Sequence, residues 1–503
     1  MRRRDLLQVG IGLGLGASGL MPAWAQQGRA RWLVGETPLA RIFCESGPEA
    51  MGNVARGIHN VDWLLRYLTR ATLPAPSTKL DAYFVGWTPS LAEALGRSAG
   101  TTAGFYTRSP EHTAIVAYAE ERDNLPISPF DILRHEYTHH FMYYHAPGVY
   151  PTWYQEGFAE LIGAVREQED GRFLVGRVNR LRASWLLNED LIPLARMLTT
   201  PLSEFSEDER AQFYAQSWLL AHFIQFDAER QVAFSRYIDL LRDGGNFARS
   251  FETAFETTLA DADIALARYR GAALPALYVD RDQAADPPAL TMGESLSEAA
   301  NALLMLEVRL RSADERDMPS ILDDVRERTR RYRGDPLADM QLARAEARFG
   351  DPAAARALLE PILASAPEEP DALYLMGQSH LRAAVADRAT AAENARAARR
   401  FFIAANAARP DHYPTLFRYA QADILMRVAV TPQTLDVLVR AHDLAPQVGE
   451  IALFTASMLL EAGRTQEAAV AARLVAFSPH GGSLAQEGQA IWRRAQAALG
   501  QQG

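Results

Sequence analysis

The stretch ILRHEYTHHFMYYH, residues 132–145, decides how the first half of the chain is interpreted. It places four of the chain's 11 histidines and one glutamate on a pattern that predicts an amphipathic helix. Residues 135–139 read HEYTH and therefore have the spacing HExxH. Positions i and i+4 share one helix face, so His135 and His139 can reach one metal ion, with Glu136 close enough to hold a water on it. HExxH also occurs by chance, so the assignment needs support from the surrounding sequence.

That support lies downstream, in YPTWYQEGFAELIG, residues 150–163. Glu156 stands one turn into a second predicted helix, with 16 residues between it and His139. A catalytic zinc needs a third protein ligand and an open position. Cys44 is the only cysteine, which excludes thiolate zinc sites and internal disulfides and leaves histidine and carboxylate as ligands. Glu160 lies on the same helix face and is placed to accept a hydrogen bond from the other ring N–H of a metal-binding histidine, which would fix the orientation of that ring.

HExxH followed by W-x-x-E-G-x-A-E, residues 153–160, resembles the gluzincin metallopeptidases and most closely their peptidase MA-like branch. The resemblance covers about residues 30–270. It implies an α+β zincin-like domain that binds one Zn²⁺ through His135, His139 and Glu156. Glu136 would then be the general base that takes a proton from the attacking water and passes it to the leaving amine.

The resemblance also suggests a donor for the oxyanion, because related enzymes bring a Tyr or His from a later helix. Tyr214, in QFYAQSW, is the candidate, and His222 is its rival. His140 and His145 point away from the HExxH face and are expected to be packing or surface residues. The strand HTAIVAYAEE, residues 112–121, is expected to form the edge along which an extended peptide lies.

The chain divides into a mixed first half and a helical second half. Apolar spacing predicts helices at residues 130–146, 152–167, 208–227, 230–242 and 259–270. Together with the preceding strands they indicate an α+β domain at residues 30–272. Residues 273–294 are rich in Pro and Asp and are predicted to be a linker.

Residues 295–503 are predicted to form an all-α solenoid of three to five tetratricopeptide-type repeats. Pro367, Pro410, Pro446 and Pro479 are spaced by 43, 36 and 33 residues, close to the 34-residue repeat. Met376-Gly377 resembles the Leu-Gly signature of the first helix in a repeat. A loop at residues 384–393 would explain why the 43-residue spacing before Pro410 is longer than one repeat. A plain helical bundle is the alternative fold.

Residues 1–25 read as a secretory signal peptide, with Arg3-Arg4 in a twin-arginine-like setting and cleavage expected near Ala25. The protein is therefore expected to be exported to the periplasm or secreted. Cleavage would change the formal charge from −10 to −12, and an acidic chain without a basic cluster is a poor nucleic-acid binder. No later stretch is apolar enough to span a membrane.

These features predict an exported zinc-dependent peptidase whose C-terminal repeats recruit a protein partner or substrate, with a peptide or protein as substrate. The alternative is a tetratricopeptide scaffold or envelope chaperone in which the metallopeptidase fold is chiefly a binding module. The Gly-x-Met-Glu-Asn motif by which aminopeptidases hold a free amine does not occur between Thr101 and Arg134. The sequence leaves endopeptidase and exopeptidase action open.

Overall fold

The computed structural model describes residues 32–100, 102–121, 127–145, 149–178, 180–281, 289–313, 318–426, 430–476 and 482–500. The predicted signal peptide, residues 1–25, and the repeat-closing Pro479 lie outside these residues. Within them, no helix combines the length and the apolar character that a membrane crossing requires.

The described part of the first half contains short strands arranged in two sheets. The strands are β1 (Leu33–Glu36), β2 (Ala40–Cys44), β3 (Leu80–Val85), β4 (Gly104–Arg108), β5 (Thr113–Tyr118), β6 (Arg166–Glu167), β7 (Phe173–Val175), β8 (Leu277–Val279) and β9 (Thr291–Met292). The larger sheet has the order β4-β5-β3-β2-β1-β9, and the smaller one has the order β6-β7-β8. Strands β2, β3 and β5 run parallel, whereas β4 is antiparallel to β5.

The sheet order corrects the prediction of the peptide-binding edge. Strand β5 lies between β4 and β3, so both of its sides are already hydrogen-bonded. Its Ile115 and Val116 are fully buried, as expected for an inner strand covered on both faces. The edge is instead β4, which is half-buried along its whole length.

Ten helices surround the sheets in the described part of the first half. They are α1 (Pro48–Thr69), α2 (Thr88–Leu95), α3 (Pro129–His145), α4 (Thr152–Gly163), α5 (Arg180–Asn188), α6 (Leu194–Thr199), α7 (Glu207–Gln225), α8 (Ala228–Arg242), α9 (Phe247–Phe255) and α10 (Leu259–Arg270). Helices α3, α4, α7, α8 and α10 are the five that the apolar spacing predicts. Helix α4 ends four residues earlier than predicted, because Arg166 and Glu167 pair with β7.

One large core joins α1, α3, α4 and α7 to the inner face of the larger sheet. Trp153 in α4 and Trp218 in α7 are its largest fully buried side chains. Burial of two such large aromatic residues contributes strongly to the stability of this core. The helices that carry the candidate site therefore belong to the main core of the first half.

The second half consists of helices that follow one another in antiparallel pairs. They are α11 (Glu298–Ser312), α12 (Met318–Thr329), α13 (Pro336–Phe349), α14 (Pro352–Ser365), α15 (Pro370–Ala386), α16 (Ala391–Ala408), α17 (Tyr413–Leu425), α18 (Pro432–Leu444), α19 (Gly449–Glu461), α20 (Thr465–Ala476) and α21 (Gly482–Gly500). A Cβ at Gly377 would lie 2.6 Å from the Phe402 ring, so this glycine permits the close contact of α15 with α16. The spacing before Pro410 is longer than one repeat chiefly because these two helices have 17 and 18 residues, and not because of the predicted loop.

The segment predicted to be a linker is part of the folded first half. Its strand β8 pairs with β7, and β9 pairs with β1. Strands of three and two residues are too short to produce an alternating sequence pattern, which is why they were not predictable. Helix α11, the first helix of the second half, also packs against the first half. Its Leu304 and Val308 lie on the face of the larger sheet opposite the main core.

Candidate metal centre

Three side chains from α3 and α4 converge on one point. The Nε2 atoms of His135 and His139 lie 3.2 Å apart, and Glu156 Oε2 lies 3.6 Å from the first and 3.7 Å from the second. Donor atoms around one tetrahedral zinc, with bonds of about 2.0–2.2 Å, are about 3.3–3.6 Å apart. The three side chains could therefore hold one ion of this size. They are the same three that the sequence predicts as ligands.

The charges around His135 favour a cation. Burial lowers the pKa of His135, but the hydrogen bond to Glu156 and the negative charges of Glu160 and Glu136 outweigh this and raise the pKa to about 9. Glu156 is only 1% exposed, and a carboxylate so deeply buried needs a positive partner. A proton on the imidazole or a metal ion among the three side chains supplies that charge.

An ion pair with a buried carboxylate holds α4 against α3, and two glycines allow α4 to approach α3 and α7 closely. Asp131, in the first turn of α3, accepts a hydrogen bond of 2.9 Å from Arg166, just beyond α4. A Cβ at Gly163 would lie 3.0 Å from the Asp131 carbonyl oxygen. A Cβ at Gly157 would lie 2.1 Å from the Ser217 carbonyl oxygen in α7. The two glycines thus permit α4 to pack between α3 and α7 and place Glu156 against the histidines.

Glu160 lies behind the first histidine, on the side away from Glu156. Its Oε1 is 3.7 Å from His135 Nδ1. Arg182, on α5, donates a hydrogen bond of 2.6 Å to the same carboxylate oxygen. The guanidinium of Arg182 also lies over the Tyr214 ring, 5.0 Å from its centroid. Arg182 was not predictable from the sequence, because it comes from another helix 22 residues beyond Glu160 and belongs to no motif.

Tyr214 is one of the residues that line the cleft next to the converging side chains. This cleft of about 250 Å³ is also lined by His135, Glu136 and Arg182. The negative charge of Glu156 is the largest of the causes that raise the pKa of Tyr214 above its usual value. The hydroxyl therefore stays protonated at neutral pH and can donate a hydrogen bond into the cleft.

His222, the rival of Tyr214, is a core residue. Its side chain is fully buried, its Nδ1 lies 2.8 Å from the Tyr269 hydroxyl, and its Nε2 lies 3.1 Å from each of the Gly176 and Pro275 carbonyl oxygens. Burial lowers its pKa to about 4, so the ring is neutral. The prediction of His222 as an oxyanion donor is wrong, because both ring nitrogens already have partners in the core.

The other two histidines of α3 also serve packing, as the sequence predicts. His140 is buried, and its Nδ1 lies 3.2 Å from the Tyr106 hydroxyl in β4. His145 is half-buried, and its Nε2 lies 3.2 Å from the Arg66 guanidinium in α1. Both contacts tie the HExxH helix to its neighbours.

The first residue of the edge strand β4, Gly104, lines the cleft. The preceding Ala103 and Ile132 of α3 line it as well. A Cβ at Gly104 would lie 2.7 Å from the Ile132 side chain and 2.9 Å from the Val116 carbonyl oxygen. Only a glycine allows the strand to approach the helix this closely. Among the residues that the structure describes, β4 has a strand partner on one side only.

The comparisons with known proteins bear on the second half. Residues 336–379 match the tetratricopeptide repeat family. A thermophilic TPR protein from Thermus thermophilus is 18% identical, with 38% of this chain and 97% of that chain covered and a TM-score of 0.33. A double mutant of MamA is 17% identical, with 40% of this chain and 97% of that chain covered and a TM-score of 0.26. At these scores the two structures support no inference about function. No curated protein matches the chain.

The C-terminal region therefore contains tetratricopeptide repeats, as predicted, and forms a helical solenoid of that type. Stacked repeats of this kind present an extended surface for protein interaction. Along this surface, the first helices of the pairs, from α13 to α19, line a groove of about 780 Å³. The family match favours the interpretation of the chain as a repeat scaffold, and the metallopeptidase interpretation depends on the geometry of the site.

Proposed function

We propose that this chain is an exported zinc-dependent peptidase of the gluzincin type whose repeats recruit a protein partner or the substrate. The observation that carries the proposal is the convergence of His135, His139 and Glu156, with donor atoms 3.2–3.7 Å apart. The general base Glu136 lines the cleft beside them. The combination would give a metal ion protein ligands on one side and an open cleft on the other, as a catalytic zinc requires.

The side chains divide the chemistry among them. When bound, zinc supplies Lewis-acid activation of a water molecule and of the scissile carbonyl group. Glu136 accepts the proton of the attacking water and delivers it to the leaving amine. Tyr214 donates a hydrogen bond to the oxygen that becomes negatively charged. Glu160, held by Arg182, fixes the orientation of the His135 ring.

Zinc content and the hydrolysis of casein and of a peptide library, measured in wild type and three variants, test the proposal. Wild type should contain one zinc per chain and cleave peptides. Glu136→Gln should keep the zinc and lose about 10²–10⁴-fold in rate. His139→Gln should lose the zinc, whereas His145→Gln, the same change on the same helix, should not. A wild type that holds zinc and cleaves nothing would refute the peptidase function.

A repeat scaffold is the second candidate, and the tetratricopeptide match at residues 336–379 favours it. In that case the first half is a binding module and the solenoid is the working part. The same variants separate the two candidates. A scaffold keeps its binding partners in Glu136→Gln and His139→Gln and shows no hydrolysis in wild type.

A further inference from the structure

The tip of the β4–β5 hairpin inserts into the inner face of the repeats, the surface formed by the first helices of the pairs. Glu111, at the tip, is 5% exposed. Its carboxylate accepts hydrogen bonds from the Tyr374 hydroxyl at 2.6 Å, from Gln378 at 3.0 Å and from Arg418 at 2.8 Å. These donors come from α15 and α17. Two successive repeats therefore bind the tip through one buried carboxylate.

Further contacts hold the backbone on both sides of Glu111. The Tyr413 hydroxyl donates a hydrogen bond to the Ser109 carbonyl oxygen at 3.1 Å. The Gln447 amide donates one to the Thr113 hydroxyl at 3.0 Å. Ser109, Tyr413 and Gln447 are less than 9% exposed, as is Glu111, whereas Thr113 and Arg418 are partly exposed. The chain's own hairpin thus occupies part of the inner face of the repeats, which are predicted to recruit a partner or substrate.

The other end of the same hairpin is the wall of the candidate site. Strand β4 runs from Arg108, next to the tip, to Gly104, which lines the cleft. At about 3.4 Å per residue this distance is about 14 Å. In the described residues β4 has a strand partner on one side only, so its position depends on β5, on α3 and on the anchored tip.

We propose that Glu111 is a positioning residue. It anchors the hairpin in the repeats and thereby holds β4 at the distance from the metal site at which an extended substrate lies across that site. The inference rests on the proposed peptidase function. It gives the repeats a role within the enzyme itself, as the support of its substrate-binding wall. Loss of the anchor should impair binding of long peptides more than the chemical step.

The test compares full-length wild type with Glu111→Gln. Glu346→Gln is the matched control, because Glu346 is also buried in the repeats but pairs with Arg326, within the repeats, at 2.7 Å. Amide hydrogen exchange of β4 and steady-state hydrolysis of a ten-residue and a three-residue peptide are measured. Glu111→Gln should exchange faster in β4, with a KM for the long peptide raised about fivefold. Its kcat, its zinc content and the KM for the short peptide should stay within about twofold of wild type.

The control should leave β4 exchange unchanged. Faster exchange at residues 109–112 without any change in β4 would overturn the proposal, as would an unchanged KM for the long peptide. If Glu111→Gln does not fold, Tyr374→Phe removes one hydrogen bond from the same carboxylate and should shift both readouts in the same direction. If wild type hydrolyses nothing, the peptidase function fails, and the exchange of β4 still decides whether the repeats hold the strand.

Discussion

Replacement of Glu111 by Gln should destabilise the protein in a pH-dependent way. Burial raises the pKa of Glu111, but the charges of Arg418 and Arg348 and hydrogen bonds from Tyr374 and Arg418 outweigh it and lower the pKa from its ordinary 4.5 to about 2. A carboxyl whose pKa is lower in the folded state stabilises the fold above its unfolded pKa. This lowering of the pKa corresponds to a stabilisation of about 3 kcal/mol at pH 7.

This stabilisation should disappear as the pH falls through the interval between 4.5 and 2, and at pH 3 about 1 kcal/mol should remain. The assay is urea unfolding of wild type and Glu111→Gln from pH 7 to pH 3, with the difference in unfolding free energy as the readout. That difference should be largest at neutral pH and should shrink steadily below pH 4.5. A difference that is constant with pH, or below about 0.5 kcal/mol at pH 7, would refute the account of the anchored carboxylate.

Three further predictions concern the site itself. Glu160→Gln should weaken zinc binding about 10–100-fold in a chelator competition, because the His135 ring loses its carboxylate partner; unchanged affinity would exclude this role. Tyr214→Phe should retain zinc and lower kcat about 10²–10³-fold, and an equal kcat would remove Tyr214 from the mechanism. Gly157→Ala should cost about 1–3 kcal/mol in thermal or urea unfolding, because its Cβ would lie 2.1 Å from a carbonyl oxygen in α7. Gly52→Ala is its control in α1, where the nearest atom is 3.9 Å away, and it should be neutral or stabilising.

The parts of the fold that were predictable are those with local signals. HExxH and Glu156, with 16 residues between His139 and Glu156, lie on two amphipathic helices. The helical period alone fixes which side chains share a face. The structure brings His135, His139 and Glu156 together as that reasoning expects. The repeats were predictable for the same reason, since each pair of helices repeats a local pattern.

The parts that were not predictable depend on tertiary contacts. Arg182 reaches Glu160 from a different helix. His222 is held in the core, away from the site, by contacts with carbonyl groups that are 46 and 53 positions away in sequence. The edge position of β4 follows from the order of strands in the sheet, which the alternation of β5 cannot reveal. The residues that join Glu111 to the repeats are 263 to 307 positions away in sequence, so no local sequence pattern predicts the contact.

The hairpin tip and a groove lie side by side on the inner face of the repeat array. Its inner face holds the hairpin tip, and the groove beside that tip is lined by Ser109 and Pro110 of the hairpin together with Arg382 and Phe454 of the repeats. A partner in this groove would therefore contact the hairpin directly. Partner binding and the position of β4 would then be linked through shared residues.

Zinc content and peptide hydrolysis, measured on the same preparations of wild type and Glu136→Gln, decide whether the chain is a zinc peptidase. Both proteins should contain one zinc per chain, and wild type should cleave peptides at a rate that falls by about 10²–10⁴-fold in Glu136→Gln. Wild type without zinc, or with zinc and no cleavage of any peptide, would refute the zinc-peptidase function.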